Sequence, residues 1–469
     1  MKNKERFFWI LLSAFLIVFS GVSFFGPNLL AYQSNSETRE YLDKFEYLFQ
    51  FLIDNYVDEV PVEELYEGAL KGLFESLDDP YSYYLTADDM EDMNDTTTGK
   101  FGGVGLYISK PAPGNSLTDP LDRFVQVVSP IEDTPAYRAG VHAGDYITKI
   151  EDESVVELSV DEVVDRLRGA PGTDVLVSIL RGKDIEFEIT LTRAIIEIPT
   201  VKEAMLPGNI AYLRIIQFTP FTAERVKEAI KFFDNNSYVS LIIDVRGNPG
   251  GLLGSVADIG DFFLSSGPIV STKSRIRNEN EVFHSTRSVL VPKNIPIAVL
   301  IDKGSASAAE ILAGALKDTG RGTLIGETSF GKGSVQKVMG FHEGGLKLTI
   351  ARYYTPADIN IDKIGIEPDR EVKDKELSDE ETESLGRILK ENLVSNFIDD
   401  HPDANKTVQR NFISELKQDG IILEDRIIEK LIRNEYNRNL DIPPVYDLDF
   451  DIILQEAVRM LSTGEIKGQ

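Results

Sequence analysis

Two segments of the chain hold residues that could break an amide bond without a metal or a histidine. The first, IDKGSASAAEILAGAL (residues 301–316), places Ser305 and Ser307 in a run of small residues leading into a helix-forming stretch. The second, GETSFGKGSVQ (326–336), places Lys332 between Gly331 and Gly333, with Gln336 four residues further on. A serine hydroxyl becomes a useful nucleophile only when a base takes its proton. Lysine can be that base only when neutral near pH 7, so apolar burial must bring it down from its ordinary value of about 10.4. The glycines beside Lys332 permit close backbone approach and leave the ammonium few competing partners. Unpaired N–H groups at a helix mouth, at the positive end of its dipole, can hold an oxyanion. Serines at helix starts are also ordinary N-caps, so residue type alone does not separate Ser305 from Ser307.

The elements that must position these residues alternate between strand and helix over residues 194–375. NIAYLRI (209–215) reads as a strand, and Val226, Ala229, Ile230 and Phe233 form one face of a helix after Thr222. VSLIIDVRG (239–247) is a near-continuous apolar strand of the kind buried on both faces. GNPGG then opens another helix, and IPIAVLI, TLIGE and LKLTIARYY extend the alternation. This pattern argues for an α/β core. The GNPGG turn presents backbone N–H groups to an anion, but no P-loop lysine follows it.

The flanking regions read as separate units. Residues 38–98 are helical, with Tyr41, Phe45, Leu48 and Ile53 near helical spacing, until Asp79-Pro80 punctuates them. Residues 99–193 alternate short strands with one helix, VDEVVDRLRG, capped by Ser159 and closed by Gly169. Residues 376–469 are charged and helical, with helices in ELSDEETESLGRIL, EDRIIEKLIRNEY and DFDIILQEAVRML. At the N-terminus, Lys2, Lys4 and Arg6 precede an uncharged apolar run at 7–26. About 20 such residues span a bilayer, and the positive flank stays cytoplasmic. Residues 1–31 are therefore expected to be a signal anchor, with a cleaved signal peptide as the alternative. The catalytic part would lie outside the cytoplasm, periplasmic and membrane-anchored, or secreted if cleavage occurs.

Composition excludes several classes. The net charge of −28, from 49 basic and 77 acidic residues, repels phosphate backbones, so no nucleic-acid partner is expected. With no cysteine there is no disulfide, thiolate nucleophile or thiolate metal site. The four histidines have no ligand spacing, so no metal and no cofactor are expected.

PAYRAGVHAGDYI, with Ala136 to Asp145 as its signature run, closely resembles a PDZ domain. GDYITKI, DVRGNPGG, GSASAAEILAGALKD, GETSFGKGSVQ and RYYTP…GIEPD occur in that order, and together resemble the carboxy-terminal processing (tail-specific) proteases over roughly residues 40–372. The resemblance implies a crotonase-like α/β Ser/Lys protease core with an inserted PDZ domain and helical extensions. It puts the nucleophile 25 residues before the lysine, at Ser307, with Lys332 as base and Gln336 orienting it. It implies oxyanion donors at Ala308 and at Gly250 or Gly251. In the PDZ unit it implies that Gly102, Gly103, Val104 and Gly105 hold a peptide carboxylate while the peptide adds a strand beside VGLYI. Arg168 matches a position where an arginine couples PDZ placement to activity. The chain departs from the family at Ala309 and at Ala357-Asp358, where a third serine and Ser-Gly are usual.

The expected function is a serine endopeptidase acting on the unstructured C-termini of exported proteins. The expected partners are those protein substrates, the membrane, a homo-oligomer built through the terminal helices, and an activator protein. The competing readings are a catalytically silent PDZ scaffold and, by fold analogy alone, an acyl-CoA enzyme.

Overall fold

The computed structural model describes residues 36–469 except 88, 91–99, 110–119, 132–133, 143, 182–184, 198, 277–279, 287–288, 374, 376, 439 and 441–442. The expected anchor at 1–31 lies outside the described residues. Among those described, no helix is long and apolar enough to cross a membrane. The chain divides into two compact units, before and after the Tyr84–Leu85 bond. The smaller contains α1 (Ser36–Asn55) and α2 (Val62–Glu75). On α1 the helically spaced Tyr41, Phe45 and Leu48 stay exposed.

The larger unit begins with the PDZ-like strands. These are β1 (Lys100–Gly103), β2 (Leu106–Ser109), β3 (Val125–Pro130) and β4 (Tyr146–Ile150). Helix α3 (Val160–Leu167) follows, then β5 (Asp174–Arg181), β6 (Ile185–Thr192) and β7 (Ala194–Glu197). Strands β2 to β6 form one antiparallel sheet in chain order, and β1 pairs with β7. Alternation in β5 sends Val175, Val177 and Ile179 into a core shared with Val163 and Leu167 of α3. The Asp145 carboxylate of the signature run is buried and receives Arg181 Nε and Nη2, both at 2.8 Å. Its role is structural.

The protease-like core is a six-stranded sheet. It takes β8 (Val201–Leu206), β9 (Ile210–Ile215), β10 (Ser240–Asp244), β12 (Ile297–Ile301), β13 (Thr323–Gly326) and β16 (Arg370–Glu371) in that spatial order. Only the β8–β9 pair is antiparallel. Every residue of β10 and β12 is buried, as central parallel strands require. Helices α4 (Thr222–Asn235), α5 (Leu253–Asp261) and α6 (Ala308–Asp318) share the larger core with one face of this sheet. A second, antiparallel sheet contains β11 (Pro268–Lys273), β14 (Ser334–Phe341) and β15 (Gly344–Tyr354).

The C-terminal region holds five helices where the sequence separates three. They are α7 (Asp379–Lys390), α8 (Leu393–Asp400), α9 (Lys406–Gln418), α10 (Asp425–Arg438) and α11 (Ile452–Ser462). The first four build a small core around Ile388, Phe397, Ile413 and Ile428. Helix α11 instead covers the other face of the main sheet, packing Leu454, Ala457 and Leu461 with Tyr212, Ile242 and Leu300.

One charge cluster, centred on a buried carboxylate, joins α11 to that sheet. Asp244 ends β10 with no exposed surface. Its carboxylate accepts Arg246 Nε (3.0 Å) and Nη2 (2.6 Å) and the Tyr212 hydroxyl (2.7 Å). Arg246 donates in turn to both oxygens of Asp451, at 2.8 and 2.6 Å, and Asp451 caps α11 through the Leu454 N–H. Burial pushes the Asp244 carboxyl up, but the Arg246 guanidinium and the Tyr212 hydroxyl outweigh it and hold the group below the usual carboxylate range.

Asp244→Asn should therefore cost about 3 kcal/mol at pH 7, because it leaves the part-buried Arg246 with half its counter-charge. A carboxyl held low in the fold contributes stability above its unfolded value of about 3.9, and loses it as pH falls through the folded value. Urea denaturation should show the gap between wild type and variant narrowing below about pH 4. An equal gap at pH 7 and pH 3 would contradict this account.

Candidate active site

The nucleophile turn lies between β12 and α6. Asp302 organises it by accepting the N–H groups of Gly247 (2.8 Å) and Gly304 (3.0 Å). Ser305 is fully buried; its hydroxyl donates to Val245 O (2.8 Å) and accepts from the Asp302 N–H (3.0 Å). That hydroxyl is locked into the turn. Ser307 is only half-buried and stands at the N-terminus of α6 with φ 54° and ψ −115°. A non-glycine residue at positive φ costs roughly 1–3 kcal/mol and persists only where the surroundings enforce it.

The DVRGNPGG turn supplies that enforcement. Asn248 is buried; its Nδ2 donates to Ile215 O (2.8 Å), and its Oδ1 accepts the Gly250 N–H (2.8 Å). Its backbone carbonyl takes the Ala306 N–H (2.9 Å), which ties this turn to the nucleophile turn. Gly250 has φ 106°, and a Cβ there would sit 2.7 Å from Ser307 Cβ. Gly251 has φ 141°, and a Cβ there would fall 2.1 Å from Phe218 O. Of the expected oxyanion donors, Gly250 already gives its N–H to Asn248. The N–H groups of Gly251 and Ala308 have no hydrogen-bond acceptor among the described residues.

The lysine loop is clamped from two sides. Phe330 N–H donates to Ser305 O (3.0 Å), and Lys363 N–H to Gly331 O (2.7 Å). The glycines beside Lys332 are needed for this approach. A Cβ at Gly331 would meet Gly365 N at 2.9 Å, and one at Gly333 would meet Asp362 N at 2.5 Å. Lys332 itself is half-buried. A register shift between Val335 and Gln336 breaks the β14–β15 pairing, the kind of irregularity that re-aims a side chain. The Gln336 amide nitrogen donates to Ser334 Oγ (2.8 Å) and Thr349 Oγ1 (3.2 Å). The unusual Ala357-Asp358 pair forms a turn, with Ala357 N–H on Asp318 and Asp358 N–H on Thr355 O.

Sequence reasoning missed Glu310. This carboxylate is fully buried on the first turn of α6. One oxygen accepts the N–H of Ser307 (2.8 Å) and of Lys332 (2.9 Å). The other accepts the Gly331 N–H (2.7 Å) and the Ser329 hydroxyl (2.5 Å). The signal available in the sequence was an acidic residue amid AAEILAGAL, where every neighbour is apolar or small.

The expected peptide site forms a groove of about 250 Å³ between β2 and α3. Gly103, Val104 and Gly105 line one end, and Val164, Leu167 and Arg168 the α3 side. Among the described residues β2 pairs only with β3, so its other edge can accept a strand. The Arg168 guanidinium lies 5.3 Å from the Phe101 ring centroid. Gly102 sits outside the groove lining: its carbonyl receives the Gly169 N–H (3.1 Å), and it pairs with Ile195. Val163 belongs to the domain core.

Gly250→Ala tests the contact between the two turns. The added methyl must displace Ser307, and a shift of about 1 Å at a reacting atom costs roughly a hundredfold in rate. Turnover should fall by that order while the far-UV spectrum is kept; wild-type turnover would refute the close approach.

With this geometry in view, the relatives of the chain are informative. Residues 209–372 match the profile of peptidase family S41, residues 126–181 that of the PDZ domain, and residues 28–89 that of the activating protease CtpB N-terminal domain. A carboxy-terminal-processing protease of Bartonella bacilliformis is 40% identical over 79% of this chain and 82% of its own length. The Bacillus subtilis carboxy-terminal processing proteases CtpA and CtpB are 32% and 34% identical, over 78% and 73% of this chain and 77% and 70% of theirs. Among solved structures, the photosystem II D1 C-terminal processing protease aligns at 27% identity, over 70% of this chain and 92% of that one, with a TM-score of 0.42. The α/β core with its inserted PDZ domain is thus the S41 peptidase fold, and the chain belongs to the carboxy-terminal processing serine proteases of that family.

Proposed function

We propose that this protease cuts with a Ser307/Lys332 dyad and takes its substrates by their C-termini from exported proteins. The observation that carries the reading is the strained, half-buried Ser307, beside the N–H groups of Ala308 and Gly251, which have no acceptor among the described residues. Ser307 Oγ attacks the scissile carbonyl carbon while Lys332 Nζ takes its proton. The oxygen that becomes negative lies against the two N–H groups, which are oriented before the reaction begins. The C–N bond then breaks, and Lys332 returns the proton to the leaving amine. Water, deprotonated by the same lysine, releases the acyl group from Ser307. Gln336 Oε1 accepts from the Lys332 ammonium and orients it; as a neutral group it does not hold the proton there as a carboxylate would.

The PDZ groove supplies the substrate's address. A C-terminal carboxylate sits on the amides of the Gly103–Gly105 loop, its last side chain enters the apolar groove, and the preceding residues pair with β2. Residues 1–31 anchor the chain with this machinery outside the cytoplasm. The exposed apolar face of α1 suits a second copy of the chain.

An assay on an unstructured, tailed substrate tests the dyad and the tail grip together. Ser307→Ala and Lys332→Ala should each lose at least about a thousandfold in kcat, as removal of a nucleophile or its base does elsewhere. Amidating the substrate's C-terminus should raise KM roughly tenfold or more and leave kcat nearly unchanged, since charged hydrogen bonds are worth about 1.5–3 kcal/mol. Cleavage by both variants at the wild-type rate refutes the dyad, and an unchanged KM refutes carboxylate capture. For the anchor, a protease added to intact spheroplasts should degrade a C-terminal epitope on this chain. Full protection of that epitope would place the catalytic part inside.

A further inference from the structure

The Glu310 carboxylate has a larger share of the site than a helix cap requires. In an ordinary capping box, a glutamate at the third helical position reaches back to the N-cap N–H and stops there. Helix α3 has a capping box in which the Ser159 N–H (2.7 Å) and hydroxyl (2.8 Å) are both on Glu162. Helix α7 has another, where the Glu381 carboxylate takes Ser378 N–H and its further partner is the Lys375 ammonium. Glu310 makes the same reach to Ser307, then takes three neutral donors from a loop 19 to 22 residues later.

Each of those contacts has Glu310 as acceptor. Three donors are backbone N–H groups, which cannot accept. The fourth, the Ser329 hydroxyl, already accepts the Ile366 N–H (2.7 Å) and so turns its proton to Glu310. One oxygen atom is shared by the N–H groups of Ser307 and Lys332, so the two backbones cannot separate without one hydrogen bond breaking in a fully buried place.

We infer that Glu310 is a positioning residue that sets the separation of the nucleophile and the base, by holding the backbone N–H groups of Ser307 and Lys332 on a single carboxylate oxygen. It has a second effect. The Ser307 N–H is turned into the protein by Glu310 and is withdrawn from the oxyanion, which leaves that role to Ala308 and Gly251. The inference rests on the dyad reading above.

Glutamine and alanine at 310 distinguish positioning from mere support. In Glu310→Gln the remaining oxygen can keep the Ser307 and Lys332 donors while the amide NH2 faces Ser329, whose hydroxyl can turn to accept; of the four donors only the Gly331 N–H then loses its acceptor. In Glu310→Ala all four donors lose their acceptor. Measured per folded molecule, kcat should fall about a hundredfold or more in Glu310→Ala, the cost of a reacting atom misplaced by about 1 Å. Glu310→Gln should recover most of that loss. KM for the tailed substrate should stay within about twofold in both, because the PDZ groove is untouched. Ser307→Ala and Lys332→Ala run alongside. If they are inactive and Glu310→Ala keeps wild-type kcat, the positioning role is wrong and the dyad stands. If they are active, the dyad itself is wrong. Should Glu310→Ala fail to fold, Ser329→Ala/Glu310→Gln replaces it: that pair removes the hydroxyl that can turn and should lose the recovery seen in Glu310→Gln. Equal kcat for the double and single variants overturns the proposal.

Discussion

A carboxylate buried in a dry core must be surrounded by donors, and this constraint organises the catalytic end of the sheet twice over. Asp244 closes β10 and gathers Arg246, Tyr212 and, through Arg246, Asp451. Glu310 opens α6 and gathers the amides of Ser307, Gly331 and Lys332 with the Ser329 hydroxyl. The two stand at the C-terminal edge of the adjacent parallel strands β10 and β12, Asp244 as the last residue of β10 and Glu310 in the helix that follows β12, where α/β folds place their ligands. Each converts loops that would otherwise be mobile into parts of one frame, because moving any donor away strands a buried charge.

Between these anchors the chain needs backbone without side chains. Gly250 lies against Ser307, and Gly331 and Gly333 lie against the 362–365 turn, at distances no Cβ could occupy. The glycines therefore act through contact as much as through freedom of rotation. They let two turns and a loop from distant parts of the chain share one small volume, and the positive φ of Ser307 is the strain that this convergence maintains.

The remaining parts divide the work of selecting from the work of cutting. The PDZ groove offers apolar walls and a strand edge, whereas the core offers the strained Ser307 turn with the amides of Ala308 and Gly251 beside it. The C-terminal region joins the core through α11, which covers one sheet face and supplies Asp451 to Arg246. Through that contact the C-terminal region bears on the DVRGNPGG turn.

Much of this was legible in residue order. Apolar runs such as IAVLI and SLIID announced buried parallel strands, glycine pairs marked the turns, and the ordered motifs carried the family resemblance, because each depends on a pattern that stays contiguous in the chain. Helices α8 and α9 escaped separation, since their short amphipathic stretches blend into a uniformly charged tail. The tertiary structure alone decided what depends on groups far apart in sequence. It locked the Ser305 hydroxyl on Val245 O, 60 residues away, and left Ser307 partly open. It gave the Gly250 N–H to Asn248 and left that of Gly251 without an acceptor among the described residues. It brought Asp451 to Arg246 across 205 residues and Lys332 to Glu310 across 22. Residue types determine which hydrogen bonds a chain can make. Which donor meets which acceptor is decided by packing, since each buried group takes whatever partner the fold carries to it.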